Sequence, residues 1–267
     1  MRVIIIARNG MTSWGNLKIN HGIILTTQQK NWYIHKKNVN QDKMFAEYPS
    51  TPDEAFHASI EGAYYSSQMA KVYEENRIRI IPYDERLEVD TYWDLGMNDL
   101  NVILFTQAYG NEIRFIDYYE NRGEGLAHYV NVLKERGYNY GRHIFPHDIE
   151  VRNLDKDGKS RRETLIGLGL NNIRVIPRTK DVNDDIEGVR KLFRRFYFDE
   201  MKCESLIDAC NNYRKEWDDK LGEFKNKPRH DIHSHRVDPL RLLGKVWNQH
   251  NADLGNSKET IKTVDFF

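Results

Sequence analysis

The sequence predicts an α/β fold, in which helices cover both faces of a mixed β-sheet. Two patterns lead to this prediction. Between residues 88 and 119, three short apolar runs are separated by turn residues, which is typical of an antiparallel meander. From residue 126 to residue 176, helical and strand-like segments alternate, and this order indicates parallel strands joined by helices. Because the chain has 267 residues, of which 39% are hydrophobic, it can bury one substantial core.

The first part of the chain shows little helical periodicity. Residues 3–7 are expected to form a short strand. A short helix is expected to begin after Thr51, because Thr51 can cap it and Pro52 suits the first helical position. A further helix over residues 64–76 has apolar residues on one side and leads into the sheet.

The sheet and its helices follow in a regular order. The meander strands are predicted at residues 89–95, 102–109 and 113–119. The later segments are a helix at 126–136, a strand at 144–145, a helical segment at 164–168, a strand at 173–176, and helices at 181–196, 204–213 and 239–247. The last helix is expected to begin right after Asp238, which would cap it, with Pro239 at the first helical position.

The composition and the motif content exclude several classes of protein. The 40 basic and 40 acidic residues cancel, so any surface that binds nucleic acid must be local. Cys203 and Cys210 fit neither a disulfide framework nor a zinc finger, and reduced thiols are expected. The apolar run near the N-terminus is too short for a signal sequence or a membrane span, so an intracellular protein without membrane contact is expected. The sequence contains no P-loop motif for ATP hydrolysis.

Three aspartates stand at the ends of predicted elements: Asp94 ends the first meander strand, Asp148 follows the strand at 144–145, and Asp238 precedes the last helix. Carboxylates in such positions can hold two hard cations, Mg²⁺ or Mn²⁺, about 3.5–4 Å apart against a phosphodiester. A single aspartate of this kind is more often a turn or capping residue, so only the joint setting favours a metal site. If the strand at 144–145 pairs beside the first meander strand, Asp94 and Asp148 come close to one metal ion.

Two further aspartates are secondary candidates for metal ligands. Asp99 follows Asp94 and could reach the same edge of the sheet. Asp231 lies in the loop before Asp238, and spacing alone does not rank these two, although the helix dipole favours an ionised Asp238. The histidines of this segment are expected to order the loop rather than to bind zinc; they are His230, His233 and His235.

Two groups of basic residues could contact DNA phosphates. One group follows Asp148, where a DNA-contacting loop and an ordinary solvated loop are equally good interpretations. Its members are Arg152, Lys156, Lys159, Arg161 and Arg162. The other group lies in the helix predicted at 181–196, where a solvated helix face is the more frequent meaning. Its members are Arg190, Lys191, Arg194 and Arg195.

Several ordered motifs together resemble the large terminase subunit of tailed bacteriophages, in its C-terminal nuclease domain. The motifs are Tyr48-Pro49-Ser50-Thr51-Pro52, Trp93-Asp94-Leu95-Gly96 with Asp99, Pro146-His147-Asp148, Thr179-Lys180-Asp181, and His230-Asp231 with Ser234, His235 and Asp238. Each motif is weak alone. Their order and separation over about residues 45–247 make the resemblance fairly specific.

The resemblance implies a ribonuclease H-like fold and a two-metal endodeoxyribonuclease that cuts concatemeric phage DNA during genome packaging. It implies that Asp94, Asp148 and Asp238 hold two Mg²⁺ or Mn²⁺ ions, with Asp99 as a second acid. The implied partners are double-stranded DNA, the phage portal and the small terminase subunit, in the cytoplasm of the bacterial host cell. The family commonly has small residues on both sides of the last aspartate, whereas here they are Val237 and Pro239. Pro239 is compatible with a helix that begins after Asp238 but not with one that runs through it.

The predicted domain organisation follows from the same resemblance. Residues 1–85 are expected to be a lead-in or linker that resembles the end of the terminase ATPase domain, residues 86–250 the nuclease domain, and residues 251–267 a flexible tail. Without a P-loop motif, the chain is expected to be part of a longer protein or a truncated prophage product. Two other functions stay open: a non-catalytic DNA- or portal-docking module, and a junction-resolving nuclease of the same fold.

Overall fold

The structure is a computed structural model, and it describes residues 26–40, 62–96, 100–152 and 158–258. The strands in this part of the chain are β1 (Ile78–Arg79), β2 (Val89–Leu95), β3 (Asn101–Tyr109), β4 (Glu112–Asn121), β5 (Tyr140–Pro146), β6 (Ile173–Ile176), β7 (Phe196–Asp199), β8 (Lys215–Asp218) and β9 (Glu223–Pro228). The α-helices are α1 (Thr27–Asn40), α2 (Ser66–Glu74), α3 (Leu126–Arg136), α4 (Arg161–Gly167), α5 (Val182–Leu192), α6 (Glu204–Asn212) and α7 (Ile232–Lys258). Short 3-10 helices, His147–Glu150 and Phe193–Arg195, follow β5 and α5.

Strands β1 to β7 form one mixed sheet in the order β1-β7-β4-β3-β2-β5-β6. Strands β2, β3 and β4 are antiparallel neighbours. The pairs β2–β5, β5–β6, β4–β7 and β1–β7 are parallel. This arrangement is an antiparallel meander followed by parallel strands, so the predicted fold class is confirmed. Strands β8 and β9 form a two-stranded sheet of their own.

Both faces of the large sheet are covered, because successive side chains of a strand point in opposite directions. In β3, Val102 and Leu104 belong to one buried cluster, whereas Ile103 and Phe105 belong to another. The first cluster includes residues of α2, α5, α6 and α7, and the second includes residues of α3 and α4. The continuous burial of β3 over its first seven residues is what a strand covered on two faces requires.

The helix predicted over residues 181–196 is too long, because α5 ends at Leu192 and the chain soon enters β7. Strand β7 lies between β1 and β4 and is parallel to both. Phe198 of β7 stacks on Phe115 of β4 with the ring centroids 4.8 Å apart. The buried guanidinium of Arg77 donates hydrogen bonds to backbone carbonyl oxygens on both sides of the turn between α5 and β7. These tertiary contacts override the helical pattern of the sequence.

The prediction that Asp238 caps the last helix is wrong, because α7 starts earlier and runs through Asp238 and Pro239. The cap is Asp231, whose Oδ1 accepts hydrogen bonds from the backbone N–H groups of His233 at 2.9 Å and Ser234 at 3.1 Å. In return, Ser234 Oγ accepts a hydrogen bond from the Asp231 N–H at 3.1 Å. This reciprocal pair satisfies donors of the first turn that have no partner within the helix. Pro239 therefore lies inside the helix, where it removes one backbone hydrogen bond.

The described residues fall into two compact units that divide between Ala63 and Tyr64. The first unit contains α1 and Lys215–Lys225, and the second contains Tyr64–Arg214 and the chain from Asn226 onward. The seven-stranded sheet belongs to the second unit. Helix α1 has no clear apolar face, which is why hydrophobic periodicity does not predict it.

Several sequence predictions fall outside the described residues or past a predicted boundary. The strand predicted at residues 3–7 and the helix predicted after Thr51 lie outside them, as do residues 259–267. Helix α7 continues beyond residue 250, and the predicted domain boundaries stay predictions. None of the helices in the described ranges is long and apolar enough to cross a lipid bilayer.

Candidate active site

Strands β2 and β5 lie side by side and run in the same direction, so their C-terminal ends meet at one edge of the sheet. Thr91 of β2 is paired with His143 of β5, so the condition under which the sequence brings Asp94 and Asp148 close together is met. Asp94 is near the end of β2, and Asp148 lies in the 3-10 helix that directly follows β5. In α/β sheets, the carboxyl ends of the strands are where ligand sites form.

Asp94 and Asp238 line one cleft with a volume of about 490 Å³, which we name the Asp94 cleft. The ends of β2, β5 and β6, the loop after β6, and helices α5 and α7 contribute to its walls. The side chains of Asp94 and Asp238 are each 25% exposed. Helix α7 packs against β2, and this contact brings the two carboxylates into the same cleft although they are far apart in the sequence.

The environment of Asp238 disfavours its charged form. The pKa of Asp238 is raised from 3.8 to about 6; burial is the main cause, and the negative charge of Asp94 acts in the same direction. Arg241 and His235 act in the opposite direction. Arg241 lies one helical turn after Asp238, and its guanidinium is 2.8 Å from Asp238 Oδ2. The carboxylate of Asp238 therefore has a cationic partner in Arg241, but this positive charge does not fully offset the effect of burial on its pKa.

His235 does not line the cleft but lies beside Asp94, and the sequence predicts only a loop-ordering role for it. Its Nδ1 atom lies 3.8 Å from Asp94 Oδ2. Residues three apart on a helix share one face, so His235 and Asp238 of α7 approach Asp94 together. The His-x-x-Asp spacing is a sequence signal that predicts this proximity once the segment is known to be helical.

Asp148 lines a second cleft, of about 580 Å³, which we name the Asp148 cleft. Lys159 and Arg161 also line it. The Oδ1 atom of Asp148 is buried and has no hydrogen-bond partner among the described residues. The two clefts lie on either side of the strand ends. Asp94 and His147 line the Asp94 cleft, whereas their sequence neighbours Leu95 and Asp148 line the Asp148 cleft.

The remaining acidic candidates differ from these three. Asp99 lies outside the described residues. Asp231 caps α7, its Oδ2 atom is 3.4 Å from Arg229, and it lines neither cleft. Across the described ranges, no group of three or more His, Cys, Asp or Glu side chains is close enough to hold a metal ion as it stands.

Most basic candidates after Asp148 already have partners. The salt bridges are Arg152 to Glu163 at 3.2 Å and Arg162 to Glu150 at 3.0 Å. Arg161 donates a hydrogen bond of 2.8 Å to the carbonyl oxygen of Leu95 and so fixes the end of β2. Lys159 is exposed, and Lys156 lies outside the described residues.

A buried chain of hydrogen bonds supports the strand ends. Trp93 Nε1 donates to Thr91 Oγ1 at 2.7 Å, and Thr91 Oγ1 is 2.7 Å from His143 Nδ1. Burial lowers the pKa of His143 to about 4, so its ring is neutral at pH 7 and its Nδ1 can accept the hydroxyl proton of Thr91. Because Trp93 also stacks on Phe145 of β5, this chain holds β2 and β5 together next to Asp94.

No protein-family model and no curated protein matches this sequence. Solved structures do match. The large terminase of a thermophilic bacteriophage, which we name the thermophilic large terminase, matches with a TM-score of 0.50 and 13% identity, over 80% of this chain and 59% of that chain. The large terminase nuclease of thermophilic phage G20c with bound magnesium has a TM-score of 0.47 and 16% identity, over 69% and 97%. The nuclease domain of the large terminase of bacteriophage SPP1 with bound Mn has a TM-score of 0.45 and 16% identity, over 60% and 86%.

The match to the thermophilic large terminase covers 59% of its length, so this chain corresponds to only part of that protein. An identity of 13% establishes a common fold and nothing finer. The chain therefore has a ribonuclease H-like α/β fold, and it shares this fold with the thermophilic large terminase.

Proposed function

We propose that this chain is an endonuclease that cuts DNA with the help of divalent metal ions, and that it acts in phage genome packaging. The observation that carries the proposal is the meeting of Asp94 and Asp238 in one cleft, where the pKa of Asp238 is raised to about 6, mainly by burial. A bound cation would stabilise two ionised carboxylates in such a cleft, because it offsets both the cost of their desolvation and their mutual repulsion. The sequence motifs and the shared fold agree with this function.

The donor groups suit Mg²⁺ or Mn²⁺, since both ions prefer carboxylate oxygens. Asp94, Asp238 and Asp148 would hold the ions, with Asp99 as a further candidate and Asp231 as a reserve for Asp238. The buried Oδ1 of Asp148 has no hydrogen-bond partner in the described part of the chain, which is an arrangement that a ligand would resolve. Two such ions, when bound, stabilise the charge that develops on the phosphate and activate the attacking water.

The residues around the carboxylates orient them and adjust their charge. Arg241 holds Asp238 through the contact of 2.8 Å to Oδ2, so the carboxylate keeps one orientation. His235 lies beside Asp94. His235 also lowers the pKa of Asp238 and so partly offsets the effect of burial.

The finer parts of the proposal concern the whole protein. The substrate would be concatemeric double-stranded DNA, contacted through its phosphates rather than its bases. The phage portal and the small terminase subunit would be the protein partners, in the cytoplasm of the host cell. Residues 1–85 would continue an ATPase domain that lies in the rest of the longer protein.

A non-catalytic module that docks on DNA or on the portal is the second candidate. The observation that favours it is that Asp148 lines a neighbouring cleft, so the three predicted ligands do not line one common cleft. In this case the acidic residues would be remnants of a site, and the chain would bind DNA or the portal without cutting.

Cleavage of supercoiled plasmid at low salt, with Mn²⁺, Mg²⁺ or EDTA, tests the proposal. We expect metal-dependent nicking by the wild-type chain and its loss in Asp94→Ala and Asp238→Ala. Asp184→Ala is the matched control, because Asp184 is exposed and lines neither cleft. If the folded wild-type chain binds DNA but does not cut it with either Mn²⁺ or Mg²⁺, the docking module is supported instead.

A further inference from the structure

The loop between β6 and α5 forms one wall of the Asp94 cleft. Pro177, Arg178, Thr179, Lys180 and Asp181 all line it, together with Asp94 and Asp238. The loop includes the sequence motif Thr179-Lys180-Asp181, to which the proposed chemistry assigns no role. Its closeness to the two carboxylates raises the question of what the loop contributes.

The loop is fastened to the helix that carries Asp238. The Thr179 hydroxyl donates a hydrogen bond of 2.6 Å to Asp185 Oδ2. The side chain of Asp185 is only 7% exposed, and its Oδ2 is 3.4 Å from Lys245 Nζ of α7. Lys245 also donates to the carbonyl oxygen of Pro177 at 3.2 Å. The buried carboxylate of Asp185 thus joins the loop to α5 and α7 through its Oδ2 atom.

The cations that line the Asp94 cleft fall into two kinds. Arg241 is paired with Asp238, and Lys245 is paired with Asp185. Arg178 and Lys180 are exposed, and within the described ranges neither forms an ion pair or hydrogen bond. They flank Thr179, whose side chain is directed toward buried Asp185. The loop therefore turns its middle residue inward and leaves two unneutralised positive charges at the cleft.

We infer that Arg178 and Lys180 bind backbone phosphates of duplex DNA beside the cleavage site, and that Thr179, Asp185 and Lys245 position them. This inference rests on the proposed nuclease function. The net charge of the chain is zero, so phosphate binding needs local cations without internal partners, and these two residues meet that need next to the carboxylates. The contacts hold the strand in place and carry no sequence information.

Binding of a short fluorescent DNA duplex, measured in EDTA over a series of salt concentrations, tests the inference without cleavage. The double variant Arg178→Ala/Lys180→Ala should bind roughly fivefold to tenfold more weakly for each lost cation at about 0.1 M salt. The slope of log K against log salt should become shallower by about 0.9 for each lost contact. Lys71→Ala is the matched control, because Lys71 is exposed on α2 and lines neither cleft, and it should bind like the wild type.

The positioning role is tested at Thr179. Thr179→Val removes the hydroxyl that bonds to Asp185 and keeps the shape of the side chain, so the loop should lose its anchor and DNA binding should weaken. Thr179→Ser keeps the hydroxyl and should restore wild-type binding. Equal binding by the valine and serine variants would overturn the positioning role.

The outcomes separate this inference from the nuclease proposal. If the double variant matches the wild type in affinity and slope while the wild type cuts plasmid, the inference is overturned and the nuclease stands. If the slope of log K against log salt becomes shallower in the double variant but the wild type never cuts, the phosphate contacts are supported and the nuclease is overturned. A wild-type chain that binds no duplex even at low salt overturns both.

Discussion

The Asp94 cleft and the Asp148 cleft lie at the ends of the same two strands, yet they differ in how charge is arranged. The Asp94 cleft holds Asp94 and Asp238 among several charged groups of both signs. The Asp148 cleft has fewer charged residues and more apolar ones, and its charged residues are Glu124, Asp148, Lys159 and Arg161. Adjacent residues of one strand thus supply two different environments.

Under the proposed function, this difference determines which cleft would bind a cation more strongly. In the Asp94 cleft, burial and a neighbouring negative charge raise the pKa of Asp238, so an ionised pair destabilises the folded chain until a cation arrives. In the Asp148 cleft, Oδ1 of Asp148 is buried and has no hydrogen-bond partner among the described residues. The first cleft is therefore where we expect most of the metal affinity, and the second is where we expect an additional ligand.

The largest expected effect separates catalysis from metal affinity. Asp148→Ala should lower the rate of plasmid cleavage by roughly a thousandfold, because a lost ligand removes several kcal/mol of transition-state stabilisation. The same variant should retain more Mn²⁺ affinity than Asp94→Ala, as measured by calorimetry. If Asp148→Ala binds Mn²⁺ more weakly than Asp94→Ala, the contrast between the clefts is reversed.

A smaller effect is expected in the pH dependence of stability without metal. The pKa of Asp238 is about 6 in the folded chain, compared with an ordinary value of 3.8, so the folded chain binds more protons between these values. Stability in EDTA should therefore fall as the pH rises from about 4 to above 6, with a contribution from this group of about 1–3 kcal/mol. Thermal unfolding at several pH values measures it.

The variant Asp238→Asn should flatten this part of the pH profile, because its side chain does not titrate. Asp184→Asn is the control, since Asp184 is exposed and its replacement should leave the profile unchanged. A profile that stays as steep in Asp238→Asn as in the wild type would assign the pH dependence to another group.

The smallest expected effect distinguishes Asp231 from the cleft residues. Asp231→Ala removes the cap of α7 and should lower the free energy of unfolding by about 1 kcal/mol. Cleavage at a temperature where the variant is folded should stay within about twofold of wild type. A large loss of cleavage with little loss of stability would instead make Asp231 part of the site.

Much of the fold can be predicted from local patterns. The observed meander strands begin and end within about two residues of the predicted ones, because each is an apolar run that turn residues bound on both sides. The helix predicted at 126–136 is observed as Leu126–Arg136, and it ends at Gly137, which has the left-handed conformation that favours glycine. Strand β6 has the predicted bounds as well.

The missed features depend on contacts that one sequence does not reveal. Strand β7 is only four residues long and is held by β1, β4 and Arg77 rather than by its own pattern. The predicted start of α7 is wrong because the Asp238-Pro239 pair is a strong helix-start signal, and the cap formed by Asp231 and Ser234 is a weaker one. The site residues themselves can be proposed from the sequence, but the division of Asp94 and Asp148 between two clefts requires the structure.

A measurement of Mn²⁺ binding tests the central claim most directly. The binding is monitored by electron paramagnetic resonance, in which the signal of the free ion decreases as the ion binds. The claim is that Asp94 and Asp238 share one cation site and that Asp231 does not belong to it. We predict that Asp94→Asn and Asp238→Asn weaken Mn²⁺ binding by at least about tenfold, since each removes a charged ligand, while Asp231→Asn binds like the wild type. Unchanged binding in Asp238→Asn, together with a loss in Asp231→Asn, would contradict the account.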